Sequence, residues 1–277
     1  MFTFRKKEYL GLIARCKDEY FVKEFCDYYL TQGVDKIIII DDDSVDKSIY
    51  DELFEYPKVE IDYQKDIITN QYVSKIYPSL RKRFTWLIYV DVDEFITTRK
   101  HPEQTIRDAI EDTFSEVDCI KVPWVMMSSN NIEMSPSSIL KSNTHRWNHD
   151  KKHPHIIHKF RCRYEQIEVK CIFKTESFEK ISDHHPITKK PANKDVVDSI
   201  ECKSSALDPW YDNLRESDIA SGYLLCYHYR IISRENSLNK LQTNYWYIEH
   251  GYTIDDLMSC DYNEVIDLTF AEKVSEQ

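Results

Sequence analysis

The chain has 277 residues, and its 37 Lys and Arg against 48 Asp and Glu leave a formal net charge of −11, which disfavours a sequence-independent grip on DNA or RNA because phosphates are repelled at long range. Only 4 glycines and 9 prolines argue against a linker-rich or disordered architecture. No run approaches the roughly 18 to 20 apolar residues that cross a bilayer, and Met1 to Lys7 lacks an apolar signal core, so the expectation is a soluble, cytoplasmic chain with no transmembrane segment, its 8 cysteines reduced and mostly buried.

The first 115 residues alternate strand and helix patterns with short connections, the pattern of parallel βα units with helices on both faces of a sheet. Tyr9 to Cys16 is the first strand. Glu19 to Gln32 follows as a helix with Phe21, Val22, Phe25, Cys26 and Tyr29 on one stripe, stopped by Gly33. Lys36 to Ile40 carries a run of isoleucines that β-branching makes a strand, closed by Asp41, Asp42, Asp43 and Ser44. Asp46 to Phe54 is a short helix and Val59 to Tyr63 a third strand. Asp66 to Arg83 is a longer helix with Ile68, Tyr72, Ile76 and Leu80 aligned. The fourth strand is Trp86 to Val90, Pro102 opens the next helix, and Cys119 to Met127 is a fifth strand.

Beyond it the period loosens. Residues 128 to 163 are polar and hold His145, His149, His153, His155 and His158 among several Lys and Arg, the composition of a long functional or partly mobile loop. Their spacing matches no closed tetrahedral zinc pattern, and a positively charged acceptor loop is the expectation. Strand patterns return at Glu168 to Phe173 and Gly222 to Tyr229. A last helix starts at Ser233 as N-cap and carries Leu238, Leu241, Tyr245 and Ile248 along one side.

The most informative feature is Asp91-Val92-Asp93-Glu94 at the end of the apolar fourth strand. Two like charges there repel and resist desolvation, so a divalent cation is the chemical reason to hold both, and hard oxygen ligands suit Mn²⁺ or Mg²⁺. The alternative is a solvated strand end that is acidic by chance. Asp41 to Asp43 end another strand of the same sheet, and ligands of open α/β sheets bind outside the carboxyl ends of strands. Without a GxGxxG fingerprint the carboxylates, not glycines, would hold a base and ribose; a turn with a helix cap is the plainer account of Asp41 to Ser44. Arg15, Lys17, Asp18 and Glu19 end the first strand with phosphate donors or a helix cap. Cys226-Tyr227-His228-Tyr229-Arg230 ends a later strand with a histidine and an arginine that can return to a metal, with Ser233 and Lys240 just beyond; a satisfied core histidine is the alternative.

Taken in order, Ala14-Arg15-Cys16-Lys17-Asp18-Glu19, Gly33-Val34-Asp35-Lys36-Ile37, Asp41-Asp42-Asp43-Ser44 and Asp91-Val92-Asp93-Glu94-Phe95-Ile96 resemble glycosyltransferase family 92 and related family 2-like enzymes. Val169-Lys170-Cys171-Ile172-Phe173 followed by Asp183-His184-His185-Pro186 is similar to that family's lysine strand and histidine. His228-Tyr229-Arg230 with Ser233 and Lys240 resembles its closing segment. The resemblance is patchy and spans roughly residues 11 to 245 in the correct order. One departure is Arg-Cys-Lys-Asp-Glu at residues 15 to 19, where the family more often has Arg-Asn-Glu.

The resemblance implies a GT-A fold: an α/β single domain over 1–277 with a Rossmann-like, mostly parallel central sheet, a nucleotide-sugar-binding half over 1–115 and an acceptor-binding half over 116–277. It implies a UDP-sugar donor, a glycan acceptor, Mn²⁺ and inversion at the anomeric carbon. Asp91 and Asp93 would hold the metal with His228 as a further ligand, and Asp41 to Asp43 would face the uridine. Arg15 and Lys240 would neutralise phosphate, with Lys17, Glu19, Val92 and Arg230 lining the donor site. An inverting enzyme needs a base opposite the leaving group; Asp183 is the candidate, with Glu176, Asp208 and Asp212 behind it. Trp124, Trp147, Trp210 and Tyr211 are candidates for an acceptor platform. The rival readings are a metal-dependent phosphohydrolase or nuclease and a non-catalytic nucleotide-sugar-binding protein on the same scaffold.

Overall fold

The computed structural model describes residues 7–65, 69–154, 162 and 164–275. In chain order the elements are β1 (Glu8–Cys16), α1 (Val22–Thr31), β2 (Lys36–Asp42), a 3₁₀ stretch over Lys47–Glu55, β3 (Val59–Gln64), α2 (Thr69–Arg83), β4 (Phe84–Asp91), β5 (Glu94–Thr98), α3 (Ile106–Asp112) and β6 (Cys119–Ser128). There follow α4 (Ile139–Ser142), β7 (His145–Arg146), β8 (Gln166–Lys174), β9 (Lys180–Ile181), β10 (Pro186–Ile187), β11 (Val196–Asp198), β12 (Trp210–Asp212), α5 (Glu216–Ser221) and β13 (Leu224–His228). The chain closes with α6 (Arg234–Thr243), α7 (Tyr245–Glu249), α8 (Ile254–Met258), β14 (Val265–Ile266) and α9 (Thr269–Ser275).

The main sheet runs β14-β7-β6-β8-β4-β1-β2-β3. Its first-half strands β3, β2, β1 and β4 are all parallel, as the alternating strand and helix pattern predicts. From β4 outward the pairing changes: β8 is antiparallel to both β4 and β6. The mostly parallel arrangement therefore holds for the first half, while the second half is mixed. The α/β class stands.

Both faces of the parallel part are covered, which is why its strands are apolar without alternation. Leu10, Leu12 and Ala14 point to one side, into a core shared with Phe25 and Tyr29 of α1 and Ile106 and Ile110 of α3. Ile13, Ile38, Ile40, Leu87 and Tyr89 point to the other, against Val73, Tyr77 and Leu80 of α2. Gly11 sits where a Cβ would lie 2.4 Å from the Phe84 ring, so any side chain there would displace that ring. Gly33 ends the first βα unit with a φ of +84°, a conformation glycine adopts freely.

Three expectations are corrected. The helix after Ser233 is capped by that residue, whose hydroxyl accepts from Asn236 N–H at 2.9 Å, but it stops at Thr243. The side chain of Asn244 accepts from Trp246 N–H at 3.0 Å and starts a separate helix, turning Tyr245 and Ile248 off the expected stripe. The region 128 to 163, expected as a loop, contains α4 and β7, with His149 buried and accepting Met126 N–H at 3.3 Å, and His153 paired with Glu264 at 2.8 Å. His155 and His158 lie outside the described residues, as do Asp66 and Ile68 of the expected second helix. Finally, α3 starts after Thr105, not Pro102, because Thr105 and Asp108 form a reciprocal capping box.

Candidate functional site

β1 is the point from which the chain first winds outward to β2 and β3, then returns to β4 on the other side. Ligands of open α/β sheets bind at such a reversal, outside the carboxyl ends of the strands. Register puts Arg15 of β1 directly beside Asp91 of β4, and Cys16 beside Asp41 of β2. A cleft of about 710 Å³ opens at this edge and takes in Arg15, Lys17, Glu19, Asp42, Asp43, Asp91, Val92, Asp93, Asp183, His228, Arg230 and Lys240. Residues separated by up to 225 positions thus share one wall.

Asp91 is the last residue of β4, Val92 and Asp93 make the turn, and Glu94 begins β5. The turn is fixed from several directions. Asp91 N–H donates to the Glu94 carboxylate at 2.7 Å, Val92 N–H to Arg15 O at 3.2 Å, and Tyr229 N–H to Asp93 O at 2.8 Å. Underneath, Tyr28 donates to Ile96 O at 2.7 Å and Tyr29 to Glu94 O at 2.9 Å, so the polar tips of two core tyrosines lock β5 to α1. β5 then pairs antiparallel with β13 and brings His228 opposite Glu94.

The side chains form two ionic groups. Arg15 contacts one oxygen of Asp91 at 3.0 Å and Lys170 the other at 3.2 Å; Lys170 also reaches Glu94 at 3.1 Å. Lys240 joins Asp93 at 2.8 Å and Glu19 at 3.2 Å. Burial pushes the Asp91 carboxyl upward, yet Arg15 and Lys170 outweigh it and hold the group well below the usual carboxylate range. Asp93 is lowered in the same way: burial opposes ionisation and the Lys240 ammonium prevails. Glu94 goes the other way, to about 8, because burial and the neighbouring Asp91 and Asp93 charges exceed what Lys170 returns. Burial also drives His228 down to about 3, so its ring is neutral with a nitrogen lone pair available.

On the opposite rim, β1 and β2 are tied through their loops. Lys17 donates to the carbonyls of Asp42 and Asp43 at 2.8 and 3.0 Å, and Asp18 accepts from Val45 N–H at 2.6 Å and Asp46 N–H at 3.1 Å. Asp18 and Asp43 both have positive φ, 54° and 55°, a left-handed conformation that costs most residues but that Asp tolerates. Such conformations persist where the surroundings impose them.

The donor types fit a hard divalent ion. Asp93 Oδ1 lies 3.7 Å from His228 Nε2, a gap that one cation bound to each at about 2.1 Å would bridge. His228 Nδ1 is buried with no hydrogen-bond partner among the described residues. Asp91 adds a second carboxylate, at present engaged by Arg15 and Lys170. Among the described residues, no set of three His, Cys, Asp or Glu side chains already closes on one point.

Not every expected residue lines the cleft. Asp41 is fully buried beneath it, accepting from Tyr50 at 2.7 Å and Ser44 N–H at 3.2 Å and paired with Lys47, so its carboxylate braces the β2 loop. Asp183 is on the cleft wall, 3.3 Å from the Tyr89 hydroxyl. Glu176 is exposed and paired with Lys7 at 2.6 Å, Asp208 with Lys121 at 2.8 Å, and Asp212 accepts from Gln166 at 3.0 Å; none of the three lines the cleft. Of the aromatic candidates only Trp124 reaches it, its ring 4.4 Å from that of His228. Trp147 packs on Tyr262 and His153 instead.

Sequence reading gave no role to Lys170, to Glu94 or to the wall formed by residues 244 to 249. Lys170 had a visible signal, a single lysine within an otherwise apolar strand segment; its side chain is 2% exposed. Glu168 and His184 also line the cleft, their side chains 3.5 Å apart. The 244–249 wall had none, because Leu238, Leu241, Tyr245 and Ile248 keep a helical spacing straight across the break at Asn244.

No family model and no curated protein matches this chain. Among solved structures it is similar to S. aureus TarS 1-349, with a TM-score of 0.36 and 8% identity over 91% of this chain and 71% of that one. It is also similar to S. aureus TarS 1-349 in complex with UDP-GlcNAc, with a TM-score of 0.37 and 12% identity over 87% and 69%. 4-Diphosphocytidyl-2C-methyl-D-erythritol synthase from Anaerococcus prevotii DSM 20548 matches with a TM-score of 0.36 and 10% identity over 76% of this chain and 95% of that one. Likenesses of this size carry no function from those proteins to this chain.

Proposed function

We propose that the chain is an inverting glycosyltransferase of the GT-A type, moving a sugar from a UDP-sugar donor to a hydroxyl of a glycan acceptor. The observation that carries this reading is the convergence of Arg15, Lys17, Asp42, Asp43, Asp91, Asp93, His228, Arg230 and Lys240 in one cleft at the strand-order reversal. Paired acidic and basic groups at this edge suit a diphosphate with a cation, and a single basic patch would not need the carboxylates.

Asp91, Asp93 and His228 would hold Mn²⁺ or Mg²⁺, which when bound supplies positive charge to a departing diphosphate. The remaining work falls to the chain. Arg15 and Lys240 stand at the two acidic residues and can turn to phosphate oxygens, leaving the carboxylates to the ion. Asp42 and Asp43, presented by the β2 loop, face the nucleoside. Asp183, across the cleft wall, takes the proton from the acceptor hydroxyl when that oxygen comes within about 2.6 to 3.2 Å. Lys170 donates to the Asp183 carbonyl at 3.2 Å while gripping Asp91, so the base and the leaving-group side are positioned through one buried cation.

A panel of nucleotide sugars assayed for UDP release with and without Mn²⁺, paired with thermal shifts by UDP, tests the reading. Release of UDP from one or more UDP-sugars, together with stabilisation by UDP, supports it. Stabilisation with no turnover on any donor favours the non-catalytic binding protein, and phosphate release from simple phosphate esters favours the hydrolase.

A further inference from the structure

The cleft has a second wall that the donor does not need. It comes from the break at Asn244, where the short helix α7 begins and puts Tyr245, Trp246 and Glu249 on the cleft lining. Tyr245 is 70% exposed, a large aromatic ring left in solvent inside a concave site. Trp246 is held rigidly behind it, its ring 4.8 Å from that of His250 and 5.1 Å from that of Tyr252. The Arg230 guanidinium lies between two indoles, 5.7 Å from Trp246 and 5.9 Å from Trp124. Aromatic faces held this way stack on the C–H faces of sugar rings at small entropic cost, because a fixed ring loses little freedom.

Charge narrows what can stack there. The cleft is lined by eight carboxylates against four Lys and Arg side chains. Those cations are already engaged: Arg15 with Asp91, Lys240 with Asp93 and Glu19, Lys17 with loop carbonyls, and Arg230 over the two indoles. A divalent ion held by Asp91, Asp93 and His228 would offset the negative charge of a diphosphate, which would leave the acidic excess of the lining for the second substrate. Such a surface repels a uronate or a phosphorylated glycan. It admits neutral rings, whose hydroxyls find acceptors in carboxylates such as Glu249.

We infer that α7 is the acceptor subsite, and that it takes an uncharged sugar ring stacked on Tyr245 and Trp246 in preference to an acidic one. This rests on the proposed transferase reading, and the test separates the two. The UDP-loaded protein is titrated by calorimetry with p-nitrophenyl glycosides of glucose, galactose, mannose, xylose and N-acetylglucosamine, and with the glucuronide and galacturonide. At least one neutral glycoside is expected to bind about tenfold tighter than either uronide. Tyr245→Ala, at an exposed position that tolerates truncation, is expected to weaken that binding about tenfold while UDP affinity stays within about twofold; Trp246→Phe is expected to weaken it less. A uronide that binds as well as the neutral ring, no binding by any glycoside, or unchanged binding in Tyr245→Ala would each overturn the inference while UDP binding persists. Failure of the wild type to bind UDP at all would overturn the underlying reading together with the inference.

Discussion

Two buried ionic networks in this molecule use the same chemistry and end differently. In the second half, Arg146 is 6% exposed and gives a parallel pair of hydrogen bonds to Glu216, both 2.7 Å, a third to Asp267 at 2.8 Å and a fourth to Trp147 O at 3.0 Å. Each of the three guanidinium nitrogens has a partner, and the network is absent from the lining of the cleft. At the Asp91–Glu94 turn the Glu94 Oε1 and His228 Nδ1 atoms have no hydrogen-bond partner among the described residues, and the group faces a cleft. A closed, matched network positions segments of chain. An open one with unmatched polar atoms is arranged for something that arrives.

The contrast is sharpest in what substitution would do. Asp93→Ala should lower UDP-sugar turnover by about a thousandfold or more, since charge stabilisation of this kind is worth several kcal/mol, while the melting temperature falls less than in Arg146→Met because the buried Lys240 retains Glu19 and the Arg230 carbonyl. Wild-type turnover in that variant would break the assignment of the turn. Arg146→Met should do the reverse, costing about 3 to 5 kcal/mol in urea unfolding by stranding Glu216 and Asp267, with donor affinity intact in the fraction that remains folded. A stable Arg146→Met protein with impaired UDP binding would erase the distinction.

Acid offers a third way to separate the regions. Burial holds His149 near 3 in the folded state against about 6.5 unfolded. The unfolded chain therefore binds more protons below about pH 6.5, and stability present above that value is lost as pH falls, with a slope approaching about 1.4 kcal/mol per pH unit for this group. His149→Gln, whose carbonyl can still accept Met126 N–H, should flatten the curve of stability against pH between about 6 and 4; an unchanged curve would show that the burial of this ring does not set it. The smallest effect belongs to Asp41→Asn. It should cost about 1 to 2 kcal/mol of stability through the Lys47, Tyr50 and Ser44 contacts and leave UDP affinity within about twofold. A large loss of UDP binding would put Asp41 back in the site.

How much was readable follows from the range of the interactions. The βα alternation, the apolar fourth strand and the acidic ends of β2 and β4 are local patterns; the first-half strands appear within a residue or two of their expected bounds, whereas α1 and α3 start later than expected, at Val22 and Ile106. Gly33 and Ser233 work as stop and cap because those functions depend on one residue's own geometry. The choice among neighbouring aspartates was out of reach: Asp41, Asp42 and Asp43 are chemically alike, and it took the strand pleat to separate Asp41 from Asp42 and the left-handed turn at Asp43, past the end of β2, to put that residue on the cleft as well. Of four tryptophan and tyrosine candidates, only Trp124 lands in the cleft, since an aromatic ring serves a core as readily as a ligand.

The order of residues by itself determined the α/β class, the parallel first half and the placing of Asp91 and Asp93 at a strand end, because hydrophobic period and turn chemistry act over a few residues. Only the tertiary structure decided that β8 would run antiparallel beside β4 and deliver Lys170 to Asp91, that β13 would set His228 near Asp93, and that a break at Asn244 would carry Tyr245 and Trp246 to the same cleft. Those contacts join segments 79 to 155 residues apart. Such pairings depend on how whole sheets and helices pack, and no local window of the chain encodes them.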